Sequence, residues 1–301
     1  VRNKVLHRGI QKDRILLATI GYILITCLAI LCVIPFIFVL SSSLTDENEI
    51  LMNGYSLIPQ VFSLEAYRMI FEYPEEMLRA YGVTITVTVL GTSAGLILTA
   101  MTAYALSRKD FKWRNHFAFY FFFTTLFSGG LVPWYLLIVN YLHLKNTLAV
   151  LILPTMMNVF YILVMRAFIS GIPNEINESA KIDGAGDFRI FISLILPLSK
   201  PALATIGLFL ALGYWNDWYM ALLYISEDNL MPLQYYLYRL LGNLEGVRKA
   251  MMESGAILTV DIPGENLKMA MTVVACGPIL FAYPFIQKYF VKGLTVGAVK
   301  G

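Results

Sequence analysis

The chain has 301 residues, 58% of them hydrophobic and only 14% charged, with a net charge of +3. Soluble domains carry roughly a quarter charged residues, so this composition excludes an ordinary globular enzyme and indicates a membrane protein. The net charge is too small to suggest a nucleic acid partner, and its distribution along the chain says more than its sum.

An N-terminal tail, residues 1–14, carries five basic residues and precedes an apolar run, Ile15 to Leu40, with no Asp, Glu, Lys or Arg. That run is too long for a secretory signal and lacks the small-residue cleavage pattern, so it reads as a true span. Five further spans are expected at about 82–106, 116–141, 147–166, 201–225 and 269–290. The fold class is therefore all-α and polytopic, with six transmembrane helices in a domain over 15–290 and a short tail at 291–301. Sixteen Lys and Arg fall on the side of the two termini and seven on the other, which is acidic (Asp46, Glu47, Glu49, Glu72, Glu75, Glu76). By the positive-inside rule both termini are cytoplasmic.

Two external segments are long. Residues 41–79 contain the turn-rich MNGYSLIPQ before a short amphipathic helix, and residues 226–268 hold a helix around Leu233 to Leu241 and polar turns at Asp261 to Gly264. Each is either a contact for an extracytoplasmic partner or a solvated loop.

Polar groups inside spans are costly and therefore informative. Span three is interrupted by Ser128-Gly129-Gly130 and Pro133, which frees backbone groups that need a protein-lined or water-lined space, so a cavity is expected there. Span four places Asn158 and Tyr161 near mid-membrane. Span five carries Trp215, Asn216, Asp217 and Trp218 in its outer half, about 24 Å from Pro201 along a continuous helix. Aromatic faces with amide and carboxylate acceptors suit a pathway for a hydroxyl-rich solute such as a sugar. The competing readings are an interfacial Trp/Tyr belt for the aromatics and a helix-to-helix hydrogen bond for Asn158. Arg166, at a cytoplasmic span end, reads as a snorkelling anchor.

Catalytic and metal chemistry find little support. Cys27, Cys32 and Cys276 lie in apolar runs without a C-x-x-C pair, and His7, His116 and His143 are scattered, so no metal site is expected. Gly91-Thr92-Ser93-Ala94-Gly95 matches the G-x-S-x-G of a serine-hydrolase elbow, but it lies within a continuous apolar helix without a His in reach, and it reads instead as G-x-x-x-G helix packing. An intramembrane hydrolase is the alternative, and fluorophosphonate labelling of Ser93 would discriminate. No G-x-x-x-x-G-K-[ST] occurs, so an ATP-driven reading needs a separate engine. Asp217 is the only carboxylate within the expected spans, which weakens a secondary transporter.

Between spans four and five lies a polar, Gly-bearing stretch, about 171–200. Ile172, Ile176 and Ala180 recur at helical spacing, with Glu175, Glu178 and Lys181 on the other side, and the pattern stops at Gly184-Ala185-Gly186. A helix, a sharp turn and a re-entry into the membrane are expected. Glu178-Ser179-Ala180, three residues, Gly184, nine residues, then Leu194-Ile195-Leu196-Pro197 closely resembles the EAA motif of the membrane subunits of binding-protein-dependent ABC importers. That motif is E-A-A, three residues, G, nine residues, I-x-L-P; here Ser179 replaces an Ala and Leu194 an Ile. The run from Glu175 to Ala204 and the ending GLTVGAVKG resemble the carbohydrate-uptake branch, the group of the maltose importer's second membrane subunit. SSSLTDE and GYWNDWYMALLYI resemble the subgroup importing complex or acidic oligosaccharides, pectin fragments and alginate among them.

The resemblance implies the type I importer permease fold in the bacterial cytoplasmic membrane. It also implies a second related permease subunit, two cytoplasmic ATPase subunits holding ATP and Mg, and an extracytoplasmic solute-binding protein. No cofactor and no catalysis are then expected in this chain. Glu178, Ser179, Ala180, Asp183, Gly184 and Ala185 would couple to the ATPase, the tail at 291–301 would touch it, and the loop at 226–268 would reach toward the binding protein.

Overall fold

The structure, a computed structural model, describes residues 2–253 and 264–280, and the described residues are almost wholly helical. In chain order the helices are α1 (Arg2–Ser43), α2 (Glu47–Asn53), α3 (Glu65–Ile70), α4 (Pro74–Ser107), α5 (Arg114–Thr124) and α6 (Leu131–Leu136). They continue with α7 (Leu148–Ile152), α8 (Val159–Ser170), α9 (Asn174–Ile182), α10 (Asp187–Ile190), α11 (Leu196–Leu198), α12 (Lys200–Trp215), α13 (Tyr219–Tyr224) and α14 (Leu233–Glu253). A further helix, α15, covers 265–280 among the described residues. The described residues form two compact units, 2–72 with 243–253 and 264–276, and 73–242 with 277–280.

In the first unit, none of the most apolar part of Ile15–Ser43 is buried. The segment after it is folded rather than loosely solvated. Thr45 bridges to Phe62, and Ala66 and Ile70 of α3 are buried. Glu47, only 6% exposed, accepts from Glu265 N at 3.0 Å and from Asn266 N at 2.9 Å. A carboxylate at the first amides of α15 satisfies donors that have no intrahelical partner and opposes the helix dipole.

The second unit is built on α4, which packs against α8 and α12. A Cβ on Gly91 would meet the Tyr214 ring at 2.4 Å, and one on Gly95 would meet the Met156 carbonyl oxygen at 2.7 Å. These glycines are therefore close-packing positions. Ser93, between them, lies on an exposed face of the same continuous helix, without the strand-to-helix turn that a hydrolase elbow requires.

Only Ile15–Ser43 and Pro74–Ser107 are uninterrupted spans among the described residues. Span three bends by 115° between Arg114–Leu126 and Leu131–Tyr141, with Gly130 at φ +83° and its N–H donating to Ser128 Oγ at 3.2 Å. A cavity of about 400 Å³ opens at that break, lined by Ser128, Gly130, Pro133 and Trp134. Span four, expected to be continuous, bends by 52° between Leu148–Thr155 and Val159–Ser170. Pro154 has no N–H to give the helix, and Asn158 starts a new one by accepting from Phe160 N at 2.9 Å.

Span five, also expected to be one helix to residue 225, ends at Trp215. Asp217 Oδ1 accepts from Tyr219 N at 3.0 Å and Met220 N at 3.1 Å, which opens α13 instead of extending α12. The helix expected around Leu233 to Leu241 runs on to Glu253. Asp261 to Pro263, the second half of span six and the tail at 291–301 lie outside the described residues.

Candidate coupling surface and translocation cavity

The polar stretch after α8 folds into α9, a tight turn and α10. At the end of α9, Gly184 N donates to Lys181 O at 3.0 Å and Ala185 N to Ala180 O at 2.9 Å. That pair of bonds is a Schellman cap, and it needs the residue at Gly184 to be left-handed. Gly184 has φ +77°, with nothing within 4 Å of where a Cβ would stand. Its requirement is conformational, and bulk on the outer side meets nothing among the described residues. Ala180 is buried and Ala185 packs on the same core, which includes Met165, Ile190 and Ile195. Glu178, Ser179, Asp183 and Gly184 are exposed. The six motif residues thus divide into two that seat the turn and four that present it.

Beyond the turn the helix carries a wide π-type turn at Phe191–Ile195, and the chain bends by 81° between Asp187–Leu198 and Lys200–Trp215. Pro197 and Pro201 flank that bend and remove two backbone donors.

Four charged residues gather beside the turn. Arg108 pairs with Asp110 and with Asp187, and Lys181 pairs with Asp110 at 3.0 Å and Asp187 at 3.9 Å. The hydrogen bond from Arg108, assisted by Lys181, holds the Asp110 carboxyl well below the usual carboxylate range. Arg166 does not snorkel freely. Its Nε donates to Leu106 O at 3.1 Å and its Nη2 to Asn115 Oδ1 at 3.2 Å, so it caps the end of α4. A cavity of about 930 Å³ lies among α9, the α4–α5 link and the end of α8.

Far along α12, a second cavity of about 250 Å³ brings together Asn158, Tyr161 and Asp217, with Thr155, Phe209 and Gly213. Asn158 reaches it as the cap of α8 and, among the described residues, makes no hydrogen bond to another helix. Tyr161 stacks on Phe209 at 6.3 Å between ring centroids. The other three residues named from the sequence lie outside this cavity's wall. Trp215 is 9% exposed and tilts against Tyr81. Trp218 stacks on Tyr238 at 4.9 Å, and Asn216 donates to Leu212 O and accepts from Gln234. Trp215 still belongs to α12, and of the two tryptophans only Trp218 lies beyond the break at Asn216.

The sequence matches, over residues 91–296, the family described as binding-protein-dependent transport system inner membrane component. The chain belongs to that family. A relative from Bacillus subtilis, the polygalacturonan/rhamnogalacturonan transport system permease protein YtcP, is 42% identical and covers 91% of this chain and 94% of its own length. Protein LplC of the same organism is 39% identical over 89% of this chain and 90% of its own. Among solved structures, a chain from a bacterial ABC transporter involved in the import of the acidic polysaccharide alginate superposes with a TM-score of 0.76 at 30% identity. The match covers 93% of this chain and 98% of that one. The fold is thus the ABC importer permease fold, as the EAA spacing implied, and the hydrolase and secondary-transporter alternatives find no support.

Sequence reading missed three roles that only the fold creates. Asp110 meets Lys181 and Arg108 meets Asp187 across about 70 to 80 residues of chain, Glu47 meets α15 across more than 200, and Arg166 reaches the Leu106 carbonyl in the last turn of α4. No local pattern marks such pairs, because each partner is ordinary in its own stretch.

Proposed function

We propose that this chain is a transmembrane permease subunit of an ATP-driven importer of oligosaccharides, acidic ones in particular, and that it couples to a separate ATPase through α9 and the Gly184 turn. The observation that carries this is the turn itself, an exposed, rigidly capped helix end at the EAA spacing, in a chain of a binding-protein-dependent family. Names of the relatives supply the substrate class: polygalacturonan/rhamnogalacturonan for one and the acidic polysaccharide alginate for the matched structure.

In this reading ATP and Mg belong to two partner ATPase subunits, and a second related permease subunit completes the pathway. Both termini are cytoplasmic, and a solute-binding protein loads the opposite face. Glu178, Ser179, Asp183 and Gly184 meet the ATPase, while Ala180 and Ala185 hand its movement to the core. Asn158, Tyr161 and Asp217 line this chain's share of the passage, where aromatic faces and polar acceptors suit a sugar ring. Closure of the ATPase dimer shifts a two-state equilibrium of the spans, and the binding protein biases it from the other side.

Reconstitution with the cognate ATPase, second permease and binding protein tests the reading. Oligogalacturonides or alginate oligosaccharides are expected to stimulate ATP hydrolysis more than neutral maltodextrins. Stimulation by maltodextrins alone would overturn the acidic class, and ATP-independent uptake would overturn the importer.

A further inference from the structure

Arg108, Asp110, Lys181 and Asp187 form a closed ring of alternating charge: each cation touches both anions. Two members come from the link that follows α4. Lys181 lies on α9 before the Gly184 turn and Asp187 opens α10 after it. The ring therefore grips the turn from both sides and ties it to the end of α4.

Folding stability does not account for it. The aspartates and the lysine keep about half their side-chain exposure, and pairs this exposed contribute little net stability. What such a ring does set is geometry, because a guanidinium shared between two carboxylates fixes both in direction as well as distance. The space around it matters too. The cavity of about 930 Å³ separates much of α9 from the α4–α5 link, so packing leaves α9 unsupported along that side. Apart from the ring, the seat of α9 is the small apolar patch around Ala180 and Ala185.

We infer that Arg108, Asp110, Lys181 and Asp187 are positioning residues, which fix the angle of the coupling turn and route its displacement into α4. This inference rests on the coupling role proposed above. α4 is the receiving element because its Gly91 and Gly95 face packs without slack against Tyr214 and the Met156 backbone, so an axial push at Arg108 reaches the wall of the Asn158 cavity. A packed core of this kind transmits small shifts instead of absorbing them.

The test uses the purified permease–ATPase complex with nitroxide labels at Lys112 and Glu175, together with transport per ATP in proteoliposomes. Asp110→Asn and Asp187→Asn are expected to broaden the inter-label distance distribution about twofold and to lower transport per ATP at least threefold. A ratio is insensitive to the amount of folded protein. Reversing all four charges at once (Arg108→Asp, Asp110→Arg, Lys181→Asp, Asp187→Lys) preserves the alternation and is expected to restore at least half of the wild-type ratio. Wild-type width and ratio in both single variants would overturn the inference, as would failure of the fourfold reversal to recover either. If Gly184→Val uncouples transport while the ring variants do not, the ring inference alone fails. If Gly184→Val is also silent, the coupling reading fails with it.

Discussion

Gly184 and the Gly91/Gly95 pair are required for opposite reasons. Gly184 has open space around it and a backbone angle that side chains resist, whereas Gly91 and Gly95 have ordinary helical angles and no space at all. At the first site the missing Cβ gives conformation; at the second it gives distance. The comparison shows that a rigid interior and a presented turn can be made from the same residue. It also shows that they must respond differently to the same substitution.

The largest effect is expected in the packed region. Gly91→Val should cost about 3 kcal/mol, because the Tyr214 ring it strikes is buried and its hydroxyl is already bonded to Ile152 O at 2.9 Å. The check is thermal unfolding of the purified chain in detergent. Glu47→Ala, at another buried contact, should cost about 2 kcal/mol by stranding the first amides of α15, and a fall in the same melting temperature would report it. Gly184→Val belongs to the other class. Left-handed backbone costs a branched residue about 1–2 kcal/mol, so the chain should still insert and fold while coupling is lost. Gly184→Asn, which tolerates that angle, should retain most coupling. Asn158→Ala is the smallest, about 1 kcal/mol for a lost cap, with Asn158→Ser close to wild type in stability; any further change in substrate range would come from the cavity it lines. If Gly91→Val and Gly184→Val instead behaved alike in both folding and coupling, the distinction between the two regions would collapse.

What was legible in the sequence follows the same division. The turn was readable because everything that makes it is local: amphipathic spacing to Ala180, a glycine at the stop, prolines beyond. The packing role of Gly91 and Gly95 was readable from their four-residue spacing in an apolar helix. Spans four and five were read as continuous because hydropathy does not register a break that Asn158 or Asp217 makes by taking backbone amides with a side-chain oxygen. Only three of the six residues named for the pathway share the cavity, because Trp215 packs on Tyr81, Trp218 on Tyr238, and Asn216 bonds Leu212 O and Gln234, contacts that no local pattern marks. Glu47 was counted with the acidic external face, and nothing near it in sequence marks it as the buried cap of a helix that starts at residue 265.

The central claim is that the left-handed turn at Gly184 carries the ATPase stroke into the spans. Its most direct test is the stimulation of ATP hydrolysis by loaded binding protein in the reconstituted importer, compared between wild type, Gly184→Asn and Gly184→Val at equal amounts of assembled complex. The account predicts that Gly184→Asn keeps most of the stimulation and Gly184→Val loses it. Full stimulation and normal uptake with valine at that position would contradict it.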